Sequence, residues 1–344
     1  MNNYDVIVIG AGPAGCSAAI SCARRGLKVA IVERVFFPRH RPGETLHPGM
    51  EPLFQQLGVL EKVLEASRIR PKGSWVKWER ERHFVPFGKD TTGAWLGFQI
   101  PRSTLDGILL ERAIACGVHL LNPCQAKKVL MKNNRVVGIQ TQAQQLFCRQ
   151  LVDASGAHAW LARQLQLTVR RYSPPLTALY GYKRGDVEER ALGIFTDRLG
   201  WYWTAQIGPQ LYHWTRLYFL HDHVCRATAI PAALSELACA GKIQGADVTW
   251  RAYDQSAGSG FFVVGDAANV LDPGTSHGVL KALMSGMMAA QCIIDEAADP
   301  TNEPVISRHY NQWVRAWFES DVQKMLELYR RHPFPPHWLG EHQQ

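Results

Sequence analysis

The sequence lacks the spacings that mark metal centres and disulfide-stabilised folds. Its eight cysteines are scattered along 344 residues without a Cys-x-x-Cys pair, so the pattern indicates neither a zinc knuckle nor a disulfide framework. His221 and His223 have only Asp222 as a neighbouring carboxylate, which is a poor set of metal ligands. We therefore predict reduced thiols and no metal site.

Long apolar runs and long basic tracts are also missing. No apolar run approaches the ~20 residues of a membrane span, and the first residues contain neither a charged leader region nor a small-residue cleavage site. We therefore expect a cytoplasmic protein without a membrane span. The formal net charge of +8 suits an anionic cofactor or an acidic partner, but without a basic tract or recognition motif it does not indicate nucleic-acid binding.

The chain does contain a strand–helix–strand pattern at its start. A β-branched run over residues 4–9 (YDVIVI) is followed by a helix-compatible segment over residues 18–25 and a second buried-strand pattern over residues 27–32 (LKVAIV). Between the first strand and the helix, GAGPAG at 10–15 has the GxGxxG spacing of a dinucleotide-binding turn. With 46% hydrophobic residues, the chain can bury this unit in a sizeable core.

Each glycine of this turn has a predicted role. Gly10 would form the tight turn, Gly12 would let the backbone approach a pyrophosphate, and Gly15 would let the helix pack closely on the strand. Glu33 stands 23 positions after Gly10 and would accept hydrogen bonds from the adenosine ribose. The unit therefore predicts a dinucleotide site.

A second small-residue motif lies far along the chain. The strand-like run FFVV (261–264) ends in Gly265 and Asp266, where open α/β sheets bind ligands, and a carboxylate there suits the ribityl hydroxyls of FAD. Residues 273–276 lead into a helix predicted to begin near His277, whose positive end would stabilise charge on a reduced flavin. Because a single strand–helix–strand site would need only the first motif, the pair predicts FAD. His277 is a candidate proton shuttle, and hydrogen bonding to cofactor or backbone is its alternative role.

Aromatic, alternating segments separate these motifs. Residues 75–78, 200–207 and 211–219 have the pattern of strands in a mostly antiparallel sheet. We assign this sheet to a substrate domain inserted twice into the FAD domain. Trp201 and Trp203 are candidate substrate contacts, with a purely structural core role as the alternative.

Domain boundaries follow from these segments. The FAD-binding domain takes residues 1–67, 101–168 and 256–300, the substrate domain takes 68–100 and 169–255, and residues 301–344 form a C-terminal tail. Within the tail, residues 304–331 have the helical spacing of apolar side chains, which predicts a helix packed across the FAD domain. A partner-docking arm with an exposed Trp338 is the alternative.

Five ordered motifs resemble those of one flavoenzyme superfamily. They are GAGPAG (10–15), RPGET (41–45), PRSTLDGILLERA (101–113), VDASGAHAWLAR (152–163) and GDAANVLDPGTSHGV (265–279). Over most of its length the chain is similar to the flavin-dependent halogenases, prenyl reductases and aromatic hydroxylases. The resemblance implies an α/β fold, with an FAD-binding Rossmann-like domain of the glutathione-reductase type, an inserted, mostly antiparallel β-sheet substrate domain and a C-terminal helix.

The motif glycines and the resemblance together give a set of expected FAD-binding residues. In the superfamily, residues matching Arg41, Gly43, Glu44 and Thr45 line the flavin, and an arginine matching Arg102 reaches the cofactor from a helix start. The full set is Gly10, Ala11, Gly12, Pro13, Ala14, Gly15, Glu33, Arg34, Arg41, Gly43, Glu44, Thr45, Arg102, Ala126, Ala154, Gly156, Gly265, Asp266, Gly274, Thr275, Ser276, Gly278 and Val279.

Departures from the superfamily patterns narrow the expected chemistry. The halogenase WxWxIP pattern is present only as Trp201 and Trp203, and neither Lys72 nor Lys77 matches the halogenase catalytic lysine. Residues 153–156 replace the Asp-Gly of NADPH-dependent hydroxylases with Asp-Ala-Ser-Gly, so direct NADPH use is not indicated. The aromatic middle segments suit a flat aromatic or protein-borne substrate better than the long apolar channel of a prenyl reductase.

A narrower resemblance lies in residues 272–290, DPGTSHGVLKALMSGMMAA. This segment is similar to the flavoproteins that mature lysine ε-oxidase and glycine oxidase, which insert oxygen into a tryptophan during biogenesis of a cysteine tryptophylquinone. The resemblance implies an FAD-dependent monooxygenase acting on the precursor of a partner quinone-dependent amino-acid oxidase, with O₂ and an unidentified reductant. A small-molecule halogenase or aromatic hydroxylase and a non-catalytic flavoprotein chaperone are the alternatives.

Overall fold

Two large β-sheets, with helices packed against them, make up most of the chain. The structure is a computed structural model, and it describes residues 3–79, 81–91, 93–219, 224–226 and 228–343. The triplet of His221, Asp222 and His223, considered above as metal ligands, lies outside these residues. Within the described ranges the helices are α1 Pro13–Ala23, α2 Glu51–Leu57, α3 Leu60–Ala66, α4 Arg102–Ala115, α5 Trp160–Gln164, α6 Gly278–Ala298 and α7 Glu303–Arg330.

Most strands are short, and the long ones belong to the two large sheets. In chain order, the strands of the described residues are β1 Asn3–Ile9, β2 Val29–Val32, β3 Thr45–Leu46, β4 Gly73–Lys77, β5 His83–Pro86, β6 Lys89–Asp90, β7 Gly93–Ala94, β8 Phe98–Gln99, β9 His119–Leu121, β10 Lys128–Lys132, β11 Arg135–Gln140, β12 Gln145–Asp153, β13 Val169–Arg171, β14 Thr177–Arg184, β15 Gly193–Asp197, β16 Gly200–Gly208, β17 Leu211–Tyr218, β18 Ala238–Cys239, β19 Gln244–Asp247, β20 Arg251–Tyr253, β21 Ala257–Gly258, β22 Phe261–Val263 and β23 Asn269–Val270.

The first sheet has a parallel centre, in the order β9-β2-β1-β12-β22. All of β2 and most of β1 are buried, as expected for parallel strands covered on both faces. The sheet positions two helices, α1 and α6, which touch at very short range. A Cβ added to Gly286 of α6 would lie 2.2 Å from the carbonyl oxygen of Ala14 in α1. The small residues of α6 therefore allow two helix backbones to meet.

The second sheet is mostly antiparallel. Its order is β18-β14-β17-β16-β15-β4-β5, with β19 also paired to β14; among these pairs, β4 with β15 is parallel and the others are antiparallel. Trp201 and Trp214 are each 1% exposed and fill the space beside it. A parallel FAD-type sheet, a second antiparallel sheet and a long C-terminal helix are the predicted fold class. The residue boundaries given above for the domains remain predictions.

Element boundaries differ from the predicted ones near the first turn. α1 begins at Pro13 rather than at residue 18, because proline presets a helical φ at a position where its missing N–H is not needed. β2 begins at Val29 rather than at residue 27, since the N–H of Lys28 donates to the Asp5 side chain instead of to a strand partner.

α6 corrects the expectation drawn from apolar runs. By length and composition this helix could cross a membrane, and half of its most apolar 18-residue stretch is buried inside the protein. Lys281 and charged residues near its end interrupt the apolar run, which is why a search for unbroken runs missed it. Its buried small residues pack on α1, and the core helix of a soluble protein passes the same test.

The C-terminal helix packs against both large hydrophobic clusters. Tyr310 and Val314 of α7 belong to the cluster of the first sheet, whereas Phe318 and Tyr329 belong to that of the second. Trp338, which the alternative of a partner-docking arm would leave exposed, is 4% exposed and packs edge-on against Trp250, with ring centroids 5.4 Å apart. That alternative is not supported, because the chain after α7 folds back and buries the ring.

Candidate functional site

The first turn contains two positions that only glycine can occupy. Gly10 has φ +101°, and a Cβ there would lie 2.5 Å from the carbonyl oxygen of Ala154. A Cβ on Gly15 would lie 2.0 Å from the carbonyl oxygen of Gly10. Gly12 differs, since a Cβ there would meet the end of the Arg39 side chain, with Nη2 at 3.2 Å. The near side of Gly12 is therefore open enough for the close approach that a pyrophosphate needs.

Glu33 lies immediately after β2 and closes the turn from the other side. Its carboxylate is 3% exposed and accepts a hydrogen bond from the N–H of Ala11 at 2.9 Å. The carbonyl of Glu33 accepts from the N–H of Cys124 at 2.7 Å, which brings the segment leading to the buried Ala126 to the same edge. The predicted residues of the first motif therefore converge with Ala126.

Arg39 is a site residue that the sequence did not single out. Its guanidinium lies 3.0 Å from Glu33 Oε2 and 3.5 Å from Asp106 Oδ2. Its Nε is buried and, within the described residues, has no hydrogen-bond partner. The expected Arg34 and Arg41 are exposed instead. In the run ERVFFPRHRPGET (33–45) nothing local distinguishes the three arginines, because what selects Arg39 is the position of the Asp106 carboxylate on α4.

That carboxylate, Asp106, also holds the arginine that was predicted. Arg102 donates through Nη2 and Nε to Asp106 Oδ1 at 3.0 and 3.1 Å, and through Nη1 to the carbonyl of Pro42 at 3.0 Å. Gly43 follows with φ +109°, and a Cβ there would lie 3.8 Å from Val279 Cγ2. Arg102, Gly43 and Val279, from three separate motifs, therefore meet at one place.

Glu44 ties this loop to the second sheet. Its side chain is buried, with the residue 2% exposed, and it accepts from Tyr182 Oη at 2.6 Å and from the N–H of Gly43 at 2.8 Å. His213 Nδ1 lies 3.6 Å from the same carboxylate. Burial, and then the Glu44 charge, raise the pKa of Tyr182, while burial lowers the pKa of His213 despite Glu44. Glu44 therefore uses its carboxylate to join the loop to the second sheet. Thr45 of β3 donates to Gln99 Oε1 of β8 at 2.8 Å.

Gly265 and Asp266 lie directly beside the first turn. A Cβ on Gly265, which has φ +60°, would lie 3.1 Å from Ala14 Cβ, and the Gly265 N–H donates to Ser285 Oγ at 2.9 Å. Asp266 is exposed between buried neighbours, so its carboxylate is available to a ligand. The two motifs that are farthest apart in sequence are thus in contact, as an elongated cofactor requires.

Hydrogen bonds from the side chains of Asp272 and Thr275 hold the loop before α6. Asp272 Oδ1 accepts from the Gly274 N–H at 2.9 Å, Thr275 Oγ1 accepts from the His277 N–H at 3.3 Å, and Ser276 takes the left-handed conformation with φ +54°. α6 then starts at Gly278, one residue after the predicted position. His277 Nδ1 lies 3.8 Å from Asp321 Oδ1 of α7, which is beyond hydrogen-bonding distance.

Under this loop lies a buried hydrogen-bond network that sequence analysis missed. Asp272 is fully buried, and its Oδ2 accepts from Trp250 Nε1 at 2.6 Å and from Tyr329 Oη at 2.7 Å. Tyr329 Oη in turn accepts from Trp201 Nε1 at 2.9 Å. Burial raises the pKa of Asp272 to about 6 against the effect of these donors. The network fixes the loop to both the second sheet and the C-terminal helix.

The network corrects the role expected for Trp201. This ring is 1% exposed, its N–H is used by Tyr329, and a Cβ on Gly274 would lie 3.4 Å from its Cζ2. Trp201 therefore supports the loop from below and has no open face for a substrate. Trp203 is half-buried and packs against the same cluster. Alternation along β16 assigned both rings correctly to one face of a strand but could not tell which part of that face the loop would cover.

The arrangement fits an FAD molecule. Gly12 offers an open approach, Arg39 offers an unpaired buried donor next to it, and Asp266 is an exposed acceptor at the far end of the same edge. An arginine fork suits phosphate oxygens, and a carboxylate suits ribityl hydroxyls. Beyond Asp266, the loop of residues 273–277 would receive the flavin ring.

Replacing Arg39 with methionine should weaken FAD binding by roughly 10- to 100-fold, the loss of a charge-assisted hydrogen bond of about 1.5–3 kcal/mol. Isothermal titration of the apoprotein with FAD measures this affinity. Arg25→Met, at an exposed position after α1, is the matched control and should bind FAD like the parent. An Arg39→Met protein with unchanged affinity would show that this guanidinium does not contact the cofactor.

Comparison with known proteins identifies the family. The model of the FAD binding domain family matches residues 3–179, which is just over half of the chain. The flavin-dependent halogenase armH3 of Armillaria mellea is 28% identical over 95% of this chain and 74% of its own length. The 1H-pyrrole-2-carbonyl-[peptidyl-carrier protein] brominase of Pseudoalteromonas luteoviolacea is 27% identical over 90% of this chain and 82% of its own length.

A solved structure supports the fold. The myxobacterial chondrochloren halogenase CndH superposes with a TM-score of 0.86 over 96% of this chain and 84% of its own, at 24% sequence identity. The matched segment of the family model contains the first turn, Glu33, Arg39 and the loop at Gly43. On these grounds the chain belongs to the FAD binding domain family, within the halogenase-like flavoprotein superfamily, and is an FAD-dependent oxidoreductase.

Proposed function

We propose that this protein uses FAD, O₂ and an external reductant to modify an electron-rich aromatic ring. The observation that carries the proposal is the convergence at Glu44. Through its bond to Tyr182, the loop of residues 41–45 is held against the second sheet, and a Cβ on Gly43 would reach Val279 at the start of α6. An aromatic substrate would enter between this sheet and the flavin ring.

The form of the reaction best supported by the relatives is halogenation of a small or carrier-borne aromatic compound. Two halogenating enzymes align with nearly the whole chain, and one of them is named for a substrate on a peptidyl-carrier protein. Lys72 is the candidate for the lysine that halogenases use, although its position does not match their pattern. It is exposed, it directly precedes β4, and its carbonyl accepts from the N–H of Phe87 at 2.9 Å. The Phe87 ring lies edge-on to His47, at 5.7 Å between centroids. Because His47 follows the loop of residues 41–45, Lys72 lies in a segment next to that loop.

A second candidate is hydroxylation of a tryptophan in the precursor of a quinone-dependent amino-acid oxidase. Two observations favour it: the resemblance of residues 272–290 to the maturation flavoproteins, and the mismatch of Lys72 and Lys77 with the halogenase lysine pattern. In both candidates the ring that is attacked must be rich in electrons. They differ in the atom transferred and in whether the ring belongs to a small molecule or to a protein.

The side chains of this protein would act by binding, orientation and exclusion of water. Bound FAD supplies the redox chemistry and the activation of O₂ once it has been reduced. Arg39 and the backbone at Gly12 would hold the pyrophosphate, and Asp266 would hold the ribityl chain. Tyr182 and His213, both uncharged at neutral pH as their shifted pKa values indicate, would form a wall that keeps water from the reacting atoms. His277 would be a proton carrier or a hydrogen-bond donor at the start of α6.

Mass spectrometry can separate the two candidates. The protein would be supplied with FAD, a flavin-reducing system, O₂ and bromide, together with free indoles, phenols and pyrroles. In parallel, an oxidase precursor would be expressed alone, with this protein, and with the Gly12→Ala variant. A brominated small molecule supports halogenation, and oxygen gain on the precursor that requires an intact Gly12 supports hydroxylation. If neither product forms, both candidates are wrong.

Lys72→Met should reduce bromination by about 100-fold while FAD binding is retained, because a positioned acid or base typically contributes 10²–10⁴-fold. Lys77→Met is the matched control. It removes an exposed lysine from the other end of β4, and bromination should persist. The measurement is product formed per bound flavin. Equal rates in the two variants would remove Lys72 from the mechanism and favour hydroxylation.

We further propose a cytoplasmic location. Seven cysteines of the described residues are free thiols, namely Cys16, Cys22, Cys116, Cys124, Cys148, Cys239 and Cys292, and reduced thiols are typical of that compartment. The same compartment would supply the reductant and the oxidase precursor.

A further inference from the structure

Lys281 is a buried cation at an unusual place. It is the fourth residue of α6 and is 7% exposed. Its Nζ donates to Asn269 Oδ1 at 2.6 Å. Asp266 and Asp321 lie near enough to favour its charge, and burial still lowers its pKa. Within the described residues, no carboxylate oxygen lies within 4.0 Å of the Lys281 ammonium, which is the limit for a direct ion pair.

Both the burial and the position of Lys281 oppose a positive charge. Removing an ammonium from water is unfavourable unless it is paired, and the first turn of a helix already carries the positive end of the helix dipole. Asn269 could bond equally well to a neutral side chain such as glutamine. The ammonium also lies 6.0 Å from the centroid of the Phe318 ring, which is at the outer limit of a cation–π contact and offsets only part of this cost.

The backbone of Lys281 lies directly behind the loop in front of α6. The N–H of Lys281 donates to the carbonyl of His277 at 2.8 Å, so Lys281 stands one turn behind residues 273–277. On the other side, Asp321 lies 3.8 Å from His277 Nδ1 and is 2% exposed. Burial opposes the charge of Asp321, but His277, Lys281 and Lys324 outweigh it and lower its pKa. Two buried, opposite charges thus lie behind the same loop.

We propose that Lys281 is a positioning residue that sets a positive potential behind the flavin loop and so raises the reduction potential of bound FAD. Reduction adds negative charge to the flavin ring, and a buried cation within a low-dielectric surrounding favours that added charge. Asp321 opposes it and limits the effect. The inference depends on the flavin ring binding against residues 273–277, and it is independent of which aromatic substrate the enzyme modifies.

The test is the midpoint potential of the FAD-loaded protein, measured by dye equilibration at pH 8, where an ordinary histidine is neutral. Lys281→Gln keeps a donor for Asn269 and removes the charge, whereas Lys281→Arg keeps the charge. Lys281→Gln should lower the potential by about 30 mV or more, equivalent to a tenfold change for a two-electron couple. Lys281→Arg should stay close to the parent. Lys132→Gln, which removes an exposed lysine at the end of β10, should leave the potential unchanged.

Asp321→Asn supplies an independent test with the opposite sign. Removing this negative charge should raise the potential, and it tests the same electrostatic mechanism if Lys281→Gln fails to fold. Unchanged potentials in Lys281→Gln and Asp321→Asn would overturn the proposal, as would a shift of the same sign in both. Failure of the halogenation or hydroxylation assay would leave these potentials unaffected, so the two sets of outcomes are distinguishable.

Discussion

Gly15→Ala should strongly destabilise the FAD-binding sheet. The new Cβ would lie 2.0 Å from the carbonyl oxygen of Gly10 and 3.1 Å from Ala154 Cβ, so α1 would have to move away from the strand edge. Overpacking in a core typically costs 1–3 kcal/mol and occasionally more, and a clash with backbone at this distance should cost about 3 kcal/mol or more. Chemical denaturation of the apoprotein measures the free energy of unfolding.

Gly12→Ala should behave differently, although it lies in the same turn. Its Cβ would meet only the flexible end of Arg39 at 3.2 Å, and the backbone of Gly12 has extended angles open to any residue. The variant should fold, yet bind FAD at least about tenfold more weakly, because the methyl group occupies the approach of the pyrophosphate.

Gly107→Ala is the control for both glycine substitutions. Gly107 is inside α4, with nothing within 4 Å of the added Cβ, and alanine there should stabilise the helix by up to about 1 kcal/mol. Full FAD affinity in Gly12→Ala would contradict the assigned role of this turn, and native stability in Gly15→Ala would contradict the packing argument.

Asp272→Ala should be the second most damaging substitution. It would leave the buried N–H of Trp250 and O–H of Tyr329 without their acceptor. It would also release the Gly274 N–H, in the loop of residues 273–277. Each buried group left unsatisfied costs about 1–3 kcal/mol, so the free energy of unfolding should fall by about 3 kcal/mol. Asp254→Ala, at an exposed position after β20, should change it by no more than about 0.5 kcal/mol. A stable Asp272→Ala protein would show that the network does not support the loop.

The pH dependence of stability gives an independent check on Asp272. Burial raises its folded pKa to about 6, above the ordinary value near 3.9, so the folded protein holds this proton more tightly than the unfolded chain. The stabilising contribution is complete below about pH 4 and is lost as the pH rises through 6, by up to roughly 3 kcal/mol. Asp272→Asn has no such proton. The unfolding free energy of the parent minus that of Asp272→Asn should therefore decrease between pH 4 and pH 6. A difference that increases with pH would mean that the three donors outweigh burial.

The prediction of the first motif from sequence succeeded because its constraints are local. Gly10 and Gly15 are dictated by steric limits within a strand, a turn and a helix that are contiguous in the chain. The same is true of the apolar runs of β1 and β2, which need burial whatever covers them. FAD was predicted from the second motif, because its Asp266 carboxylate suits the ribityl hydroxyls and its small residues lead into a helix start that suits the flavin.

Only the folded structure shows which of several chemically similar residues lies at the candidate site. Arg34, Arg39 and Arg41 are equivalent in the sequence, and Arg39 differs because Asp106, 67 residues away, faces it. Trp201 and Trp203 lie on the same face of β16, and the loop of residues 273–277 covers only the first of them. Neither distinction has a local pattern.

The sequence by itself determined the FAD-type fold, the cofactor and the tight glycine turn between β1 and α1, since backbone sterics and hydrophobic periodicity act over a few neighbouring residues. The tertiary structure decided which charges are buried and paired. Asp272 and Tyr329 are 57 residues apart, and Lys281 acquires its surroundings from β23 and α7. Burial and hydrogen-bond geometry between distant segments set the energies of these groups, and those quantities exist only after the segments have packed.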